Sequence, residues 1–366
     1  MRKNYFVFII LCLWLLPFNS LAQSRTVNVF PKDSRGDVEA VLCTQNLNNW
    51  GLYKDVVRAN SSITPALYKR KEEGLIARFL KAKCDIIGVQ EVLGKDLQTA
   101  KKALSVLADG LHLATGRMWQ GVVSKSNDKR SRVGLLFAQD TAKLLNFLSY
   151  ADVLLPKLSQ HQKPRFFARG PLEVHLKVKG KEGKKSKVIV VITFHFKSKR
   201  GGKNDPAGLM FETWRMEMAE ALRRIVLNRH KSNIESGRTL VVLMGDRNSN
   251  FDTASAKILE GVLTLSHFQK SAPCRISMRG APLCQAGSWR SPQFVSVLTT
   301  DPETKQLPGT YQYKKTYSWI DDILLPPTAL PFTWESPTKR GNYASGVIYT
   351  PKSASDHALA YVQLNW

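Results

Sequence analysis

The chain has 366 residues, 43% of them hydrophobic, which is too apolar for a disordered polymer and enough to bury a large core. Lysine and arginine number 54 against 29 aspartates and glutamates, a formal charge of +25. A globular chain so far from neutral attracts polyanions at long range, which ranks nucleic acid and anionic membrane ahead of other partners, although the same surplus also serves solubility.

Arg2 and Lys3 precede an apolar run from Tyr5 to Leu16, then Pro17 and Ser20-Leu21-Ala22, with small residues at the two positions a signal peptidase reads. The pattern predicts a signal peptide over residues 1–22, cut after Ala22, and a secreted or periplasmic protein. The apolar run is short against the roughly 20 residues that span a bilayer. Cys12 leaves with the signal, and the even number of remaining cysteines, Cys43, Cys84, Cys274 and Cys284, permits disulfides in an exported chain. Cys274 and Cys284 lie in a segment broken by Pro273 and Pro282, which favours a local bridge there. Cys43 and Cys84 sit in or beside apolar strand-like runs, where a buried free thiol fits at least as well as a bridge. No cysteine spacing resembles a zinc site.

Strand and helix patterns alternate along the rest of the chain. Short β-rich apolar runs occur at Val38–Thr44, Asp85–Val89, Arg132–Phe137, Val188–Phe194, Thr239–Met244, Ile320–Leu325 and Ala358–Leu364. Thr64-Pro65 reads as a cap followed by a first-turn proline, and Leu67, Leu75, Ile76, Phe79 and Leu80 then form one helical face. Leu93, Leu97, Ala100, Leu104 and Leu107 form a second, and a third helix is expected after Asp205-Pro206, through Trp214 and Leu222 toward His230. There is no internal repeat and no low-complexity linker. Against the length prior of two domains, residues 23–366 therefore read as one α/β domain, with a proline-rich loop excursion at 271–316.

Polar residues of catalytic type stand where several of these runs end: Asn46, Gln90-Glu91, His195 and Gly245-Asp246-Arg247-Asn248. The last two runs add Asp321-Asp322 and Ser355-Asp356-His357. In layered α/β folds the carboxyl ends of central strands are where ligands bind, because the sheet holds the loops there in place. Each residue alone has a plain alternative as a turn or surface residue. Their order is more specific.

Thr44-Gln45-Asn46-Leu47, Ile87-Gly88-Val89-Gln90-Glu91-Val92, Arg132–Phe137, Phe167-Ala168-Arg169-Gly170-Pro171, Phe194–Lys199, Gly245–Asn248 and Ser355-Asp356-His357 together resemble the endonuclease/exonuclease/phosphatase superfamily, the deoxyribonuclease I-like proteins. The resemblance runs from about Val38 to the C-terminus, nearly the whole mature chain. It implies a four-layer α/β sandwich, two mixed β-sheets packed face to face with helices on the outer faces, and a phosphoester hydrolase that needs a divalent metal. It implies Glu91 as principal ligand of Mg²⁺ or Mn²⁺, assisted by Asn46 and Asp356, all hard oxygen donors. Ca²⁺ is a further candidate cation. Asp246 is then expected to take or orient the proton of the attacking water, Asn248 to hold the scissile phosphate, and His357, oriented by Asp321, to donate to a phosphate oxygen. His195 would serve the leaving oxygen as acid, and Arg169 offers a guanidinium fork for phosphate.

Two departures matter. Asp321 and Asp322 are strand neighbours facing opposite sides, so one alone reaches the site, and the family pattern places its aspartate after the aliphatic residue, here Ile320. Deoxyribonuclease I backs its equivalent of His195 with a glutamate from the preceding segment, whereas no glutamate lies between Gly94 and Pro171 and Asp128 is the nearest candidate.

The choice of phosphoester rests on the basic residues. Lys125–Arg132 holds four bases and one acid, Lys177–Lys187 six lysines and one acid, and Lys197–Lys203 four bases and no acid. Two of these segments belong to loops flanking the strand that ends at His195, and the positive surface expected beside the scissile phosphate would grip neighbouring phosphates of a long polyanion, with Lys197, Lys199 and Arg200 nearest the site. A solvated hairpin tip is the plain reading of the middle run. The segment His195–Gly201 also resembles that of secreted bacterial extracellular nucleases. The resulting expectation is a secreted, monomeric, metal-dependent nuclease with weak sequence preference, DNA ahead of RNA and an endonucleolytic cut. The alternative is a secreted sphingomyelinase-type phospholipase C or phosphoinositide phosphatase, which would want an apolar hairpin to enter a membrane where this chain has lysines, so no stable membrane association is expected. A binding module without catalysis is disfavoured because the expected polar positions are filled.

Overall fold

A computed structural model describes residues 36–158, 163–199, 205, 208–265, 293–299, 307–313, 316–335 and 343–366. The signal peptide, Cys274 and Cys284, Arg200 and most of the 271–316 excursion lie outside the described residues. In chain order the elements are β1 (Glu39–Trp50), α1 (Tyr53–Ala59), α2 (Pro65–Lys81), β2 (Ile86–Leu93), α3 (Leu97–Thr115), β3 (Trp119–Val123), β4 (Ser131–Ala138), β5 (Ala142–Ser149), β6 (Leu172–Val178) and β7 (Lys187–His195). Then follow α4 (Glu212–Ser236), β8 (Leu240–Asp246), α5 (Ala254–Glu260), β9 (Val295–Ser296), β10 (Tyr311–Tyr313), β11 (Thr316–Ser318), β12 (Asp321–Leu325), a 3-10 turn (Pro327–Thr333), β13 (Ser345–Ile348) and β14 (Leu359–Asn365).

The strands build two mixed six-stranded sheets, in the orders β13-β14-β1-β2-β4-β3 and β5-β6-β7-β8-β12-β9, with β10-β11 as a separate ribbon. Between the sheets, Leu42, Ile86 and Leu135 of one meet Val174, Val191 and Val242 of the other in a buried apolar layer. The outer face of the first sheet is covered by α2 and α3 through Leu75, Phe79, Leu104 and Leu107, that of the second by α4 and α5 through Leu222, Ile225 and Ile258. This is the expected four-layer sandwich. Central strands covered on both faces must be apolar throughout, which is why they stand out as continuous runs in the sequence.

The helix signals act as expected at their ends. The Thr64 hydroxyl accepts from the Leu67 amide at 3.3 Å with Pro65 in the first turn, and the Asp96 carboxylate caps α3 through the Thr99 amide at 2.7 Å before Gly116 closes it with φ +69°. Two members of the predicted α2 face do not join the core. Leu67 and Leu80 are 44% and 43% exposed, because the stripe that meets the sheet runs through Leu75 and Phe79, and Leu80 lies about 100° round the helix from Phe79.

Cys43 and Cys84 form a disulfide tying β1 to the entry of β2, so the free-thiol reading is corrected. The two chain segments are parallel neighbours in the sheet, which brings these cysteines to 5.9 Å between Cα atoms. The placement of the middle lysine run is corrected too. The β6–β7 hairpin tip carrying Lys179–Lys185 lies at the start of β7, nine residues from His195 and therefore roughly 25 Å along the strand. Its lysines pair with the first described residues of the chain, Lys181 with Glu39 at 3.5 Å and Lys184 and Lys187 with Asp37 at 3.8 and 3.5 Å.

Candidate active site

Topology gathers the polar strand ends. β1 and β2 run parallel with Asn46 opposite Gln90, and β7 and β8 run parallel with His195 opposite Asp246. β12 and β14 run the other way, so it is their beginnings that reach the same edge: Asp321 pairs with Asp246, and His357 precedes β14. Both sheets thus deliver their chemistry to one side of the sandwich.

Local backbone geometry aims the side chains. The ladder between β2 and β4 slips between Val89 and Val92, and in this bulge Glu91 takes φ +61°, a left-handed conformation uncommon for a residue with a Cβ. Asn248 takes φ +51° in the turn after β8. Gly245 has φ +152° and passes so close to β7 that a Cβ there would stand 2.0 Å from the Phe194 carbonyl oxygen, so only glycine lets Asp246 emerge where it does.

The side chains form one connected set. The Asn46 amide nitrogen donates to Glu91 at 3.3 Å and to Asp246 Oδ2 at 3.0 Å, while its oxygen accepts from the Asn48 amide at 2.9 Å. Asp246 also accepts the Asn248 backbone N–H at 2.6 Å and its side-chain amide at 3.2 Å, and stands 3.4 Å from His195 Nε2. His357 Nδ1 meets Asp321 Oδ2 at 2.8 Å, and Asp246, Asp321 and His357 each offer an atom within 4.8 Å of the others. Asp322 faces the other way, 3.1 Å from Arg247. The Asn248 amide and Arg169 Nη1 both donate to the Phe196 carbonyl, at 3.2 and 3.1 Å, so Arg169 borders the same cleft. Lys199 reaches Asn250 at 3.0 Å, Lys197 is partly buried beside Arg169, and Asp356 is exposed at the rim.

Burial sorts the protonation states. It pushes the Asp246 carboxyl up, reinforced by the neighbouring Asp321 charge. For His357 burial works against the charge, but Asp321, Asp246 and Asp356 outweigh it and raise its pKa to about 10. His195 goes down, through burial and then the positive charges of Arg169, His357 and Lys197. Its Nδ1 has no partner among the described residues, and Asp128, the nearest acid expected from the sequence, pairs with Arg169 at 3.5 Å instead.

Two further residues on α2 belong to the site and carry no signal in the sequence, where they sit in a run of lysines, arginines and glutamates that reads as a solvated face. Arg78 is fully buried and donates to the carbonyls of Tyr349 (2.6 Å), Pro351 (3.1 Å), Ser355 (3.2 Å) and His357, and to Gln45 Oε1 (3.0 Å), clamping the loop that presents His357. The Lys71 ammonium donates to the Asn48 carbonyl. Burial lowers its pKa to about 8 against the opposing charges of Glu91 and Asp356.

No known family model and no curated protein matches the sequence. Solved structures do. The human Nocturnin catalytic domain with bound sulfate is similar at a TM-score of 0.50 and 15% identity, over 89% of this chain and 93% of that one. D. rerio TDP2 complexed with single strand DNA product is similar at 0.50 and 15% over 90% of this chain and 100% of that one, and a humanized D. rerio TDP2 at 0.50 and 14% over 90% and 99%. The chain has the fold these structures share.

Proposed function

We propose that this chain is a divalent-metal-dependent phosphodiester hydrolase acting on nucleic acid, with DNA as the favoured substrate and an endonucleolytic cut. The observation that carries the reading is a single buried constellation in which Asp246 is held by Asn46 and Asn248 beside a cationic His357. The solved complex of TDP2 with single strand DNA product supports a nucleic acid substrate for this fold.

The donors around Glu91 suit a hard cation. Glu91 and Asp356 offer carboxylate oxygens, the Glu91 carboxylate is held out by a strained backbone, and their negative charges, which act on the Lys71 ammonium, support a cation in this corner; Asn46 would add its amide oxygen by turning from the Asn48 N–H. Glu91 and Asn46, with Asp356, would hold Mg²⁺ or Mn²⁺. When bound, such an ion supplies Lewis-acid stabilisation of charge on the phosphate oxygens.

The chain's own residues do the rest. Asn248 and Arg169 orient the phosphate, and His357, charged at neutral pH, donates to a non-bridging oxygen as negative charge builds there. Asp246, a carboxylate made more basic by burial, accepts the proton of the attacking water as its oxygen bonds to phosphorus. The bond to the leaving oxygen breaks on the opposite side. His195 is held neutral 3.4 Å from Asp246, so it carries no imidazolium proton to give that oxygen, and the proton comes from solvent.

Supercoiled plasmid tests the reading. Purified protein with Mg²⁺ should nick it and EDTA should stop the reaction. Intact plasmid alongside hydrolysed sphingomyelin would replace the proposal with the phospholipase alternative.

A further inference from the structure

Beyond His195 the cleft continues into a surface of aromatic rings and cations. Lys197 Nζ lies 4.5 Å from the Phe211 ring centroid and 5.8 Å from that of Trp214. Arg165 lies 5.6 Å from the Trp214 ring, while pairing with Glu217 at 3.4 Å. Phe211 and Trp214 stand edge to face at 6.4 Å, and the Trp214 indole N–H donates to the Phe166 carbonyl at 3.1 Å. Phe166 is 44% exposed, and Leu209 and Met210 beside Phe211 are more exposed still. The patch joins the candidate active site directly, because Arg169 and Asn248 share the Phe196 carbonyl and Lys197 is the next residue.

Phe211 and Trp214 are half-buried rings that each stand beside a cation next to the proposed phosphate site, and Phe166 adds an exposed ring at their edge. We propose that this patch is a stacking platform for unpaired bases, so that the enzyme prefers single-stranded to duplex nucleic acid. The inference rests on the nucleic acid reading above. As a strand leaves the reacting phosphate held by Arg169, Lys197 takes its next phosphate and the bases stack on Phe211, Trp214 and Phe166. On binding, Lys197 exchanges an aromatic face for a phosphate oxygen and a base takes its place on the ring. A duplex hides its base faces and can use the cations alone, which is why the rings carry the discrimination.

The full chain carrying Asp246→Asn, so that substrate survives, is titrated with a fluorescein-labelled oligothymidylate of about 12 nucleotides and with a hairpin duplex of the same length, read by anisotropy. The single strand should bind at least about tenfold more tightly, and Trp214→Ala should remove most of that margin while duplex binding stays within about twofold. Trp214 also packs on the core, so Phe166→Ala, on an exposed ring, repeats the test and should weaken single-strand binding several-fold. Equal affinity for both forms, or single-strand binding indifferent to Trp214→Ala and Phe166→Ala, overturns the platform. Ring-dependent capture of phosphatidylserine vesicles without single-strand preference overturns it in favour of a lipid surface. Cleavage by the unmutated chain with Mg²⁺ separates the two readings: cutting of plasmid or oligothymidylate with no ring-dependent preference defeats the platform alone, whereas ring-dependent binding with neither the plasmid nor the oligothymidylate cut defeats the hydrolase.

Discussion

Glu173 shows what burying a charge demands at a single residue. It lies on β6 with no exposure and is ringed by the Tyr150 hydroxyl, His175 Nε2 at 2.6 Å, Arg229 Nη2 at 3.0 Å and His230 Nε2 at 3.2 Å. Burial alone would raise its pKa, but the bonds from His175, His230 and Arg229 hold it well below the usual carboxylate range. A carboxyl whose folded pKa is depressed contributes stability that is fully present above its unfolded value, near 4.3, and is lost as pH falls below it. Glu173→Gln is therefore expected to lower unfolding free energy by about 3–5 kcal/mol at pH 7 in urea titrations, and by less below pH 4. A loss under about 1 kcal/mol, or one independent of pH, would contradict this account. The same scale explains what the sequence hid. Asn46, Glu91, Asp246 and His357 were legible because each closes or opens an apolar run. Arg78 and Lys71 were not, because only packing against β1 and the loop before β14 turns two residues of a charged helix inward.

At the level of elements, catalytic placement depends on β8 being able to touch β7. Gly245→Ala would drive a methyl into the Phe194 carbonyl at a φ that L residues avoid, in the register that sets His195 beside Asp246. We expect a stability loss of about 3 kcal/mol or more by thermal or urea unfolding, together with loss of phosphodiesterase activity. A fully active and equally stable Gly245→Ala protein would show that the close approach does not position Asp246. All seven strands predicted from apolar runs are present, and these include the central strands sealed between helix and sheet. β5 and β6 escaped detection for opposite reasons. β5 is an edge strand with several exposed residues, whereas β6 alternates core residues with Glu173, His175 and Lys177, so the polar network and the lysine run masked its period.

For the whole molecule, the net charge of +25 is distributed unevenly with respect to the cleft. Lys197, Lys199 and Arg169 border it, while the lysine-rich hairpin sits at the other end of β7 and is partly neutralised by Asp37 and Glu39. The salt dependence of DNA binding should follow position rather than total charge. Lys197→Ala should reduce the slope of log affinity against log salt by about one, and Lys184→Ala should leave it unchanged. Equal effects from both would mean that the whole basic surface, and not the cleft, holds the polyanion.

The account turns on Asp246 and His357 acting on one phosphate, and groups that work as a unit lose their effect together. A cycle of initial plasmid-cleavage rates for the unmutated chain, Asp246→Asn, His357→Ala and the double variant measures this directly. Each single change should slow cleavage by about 10²–10⁴-fold with the fold retained by circular dichroism, and the double variant should be scarcely slower than the worse single. Near-normal rates in either single variant, or losses that multiply in full, would contradict a shared site.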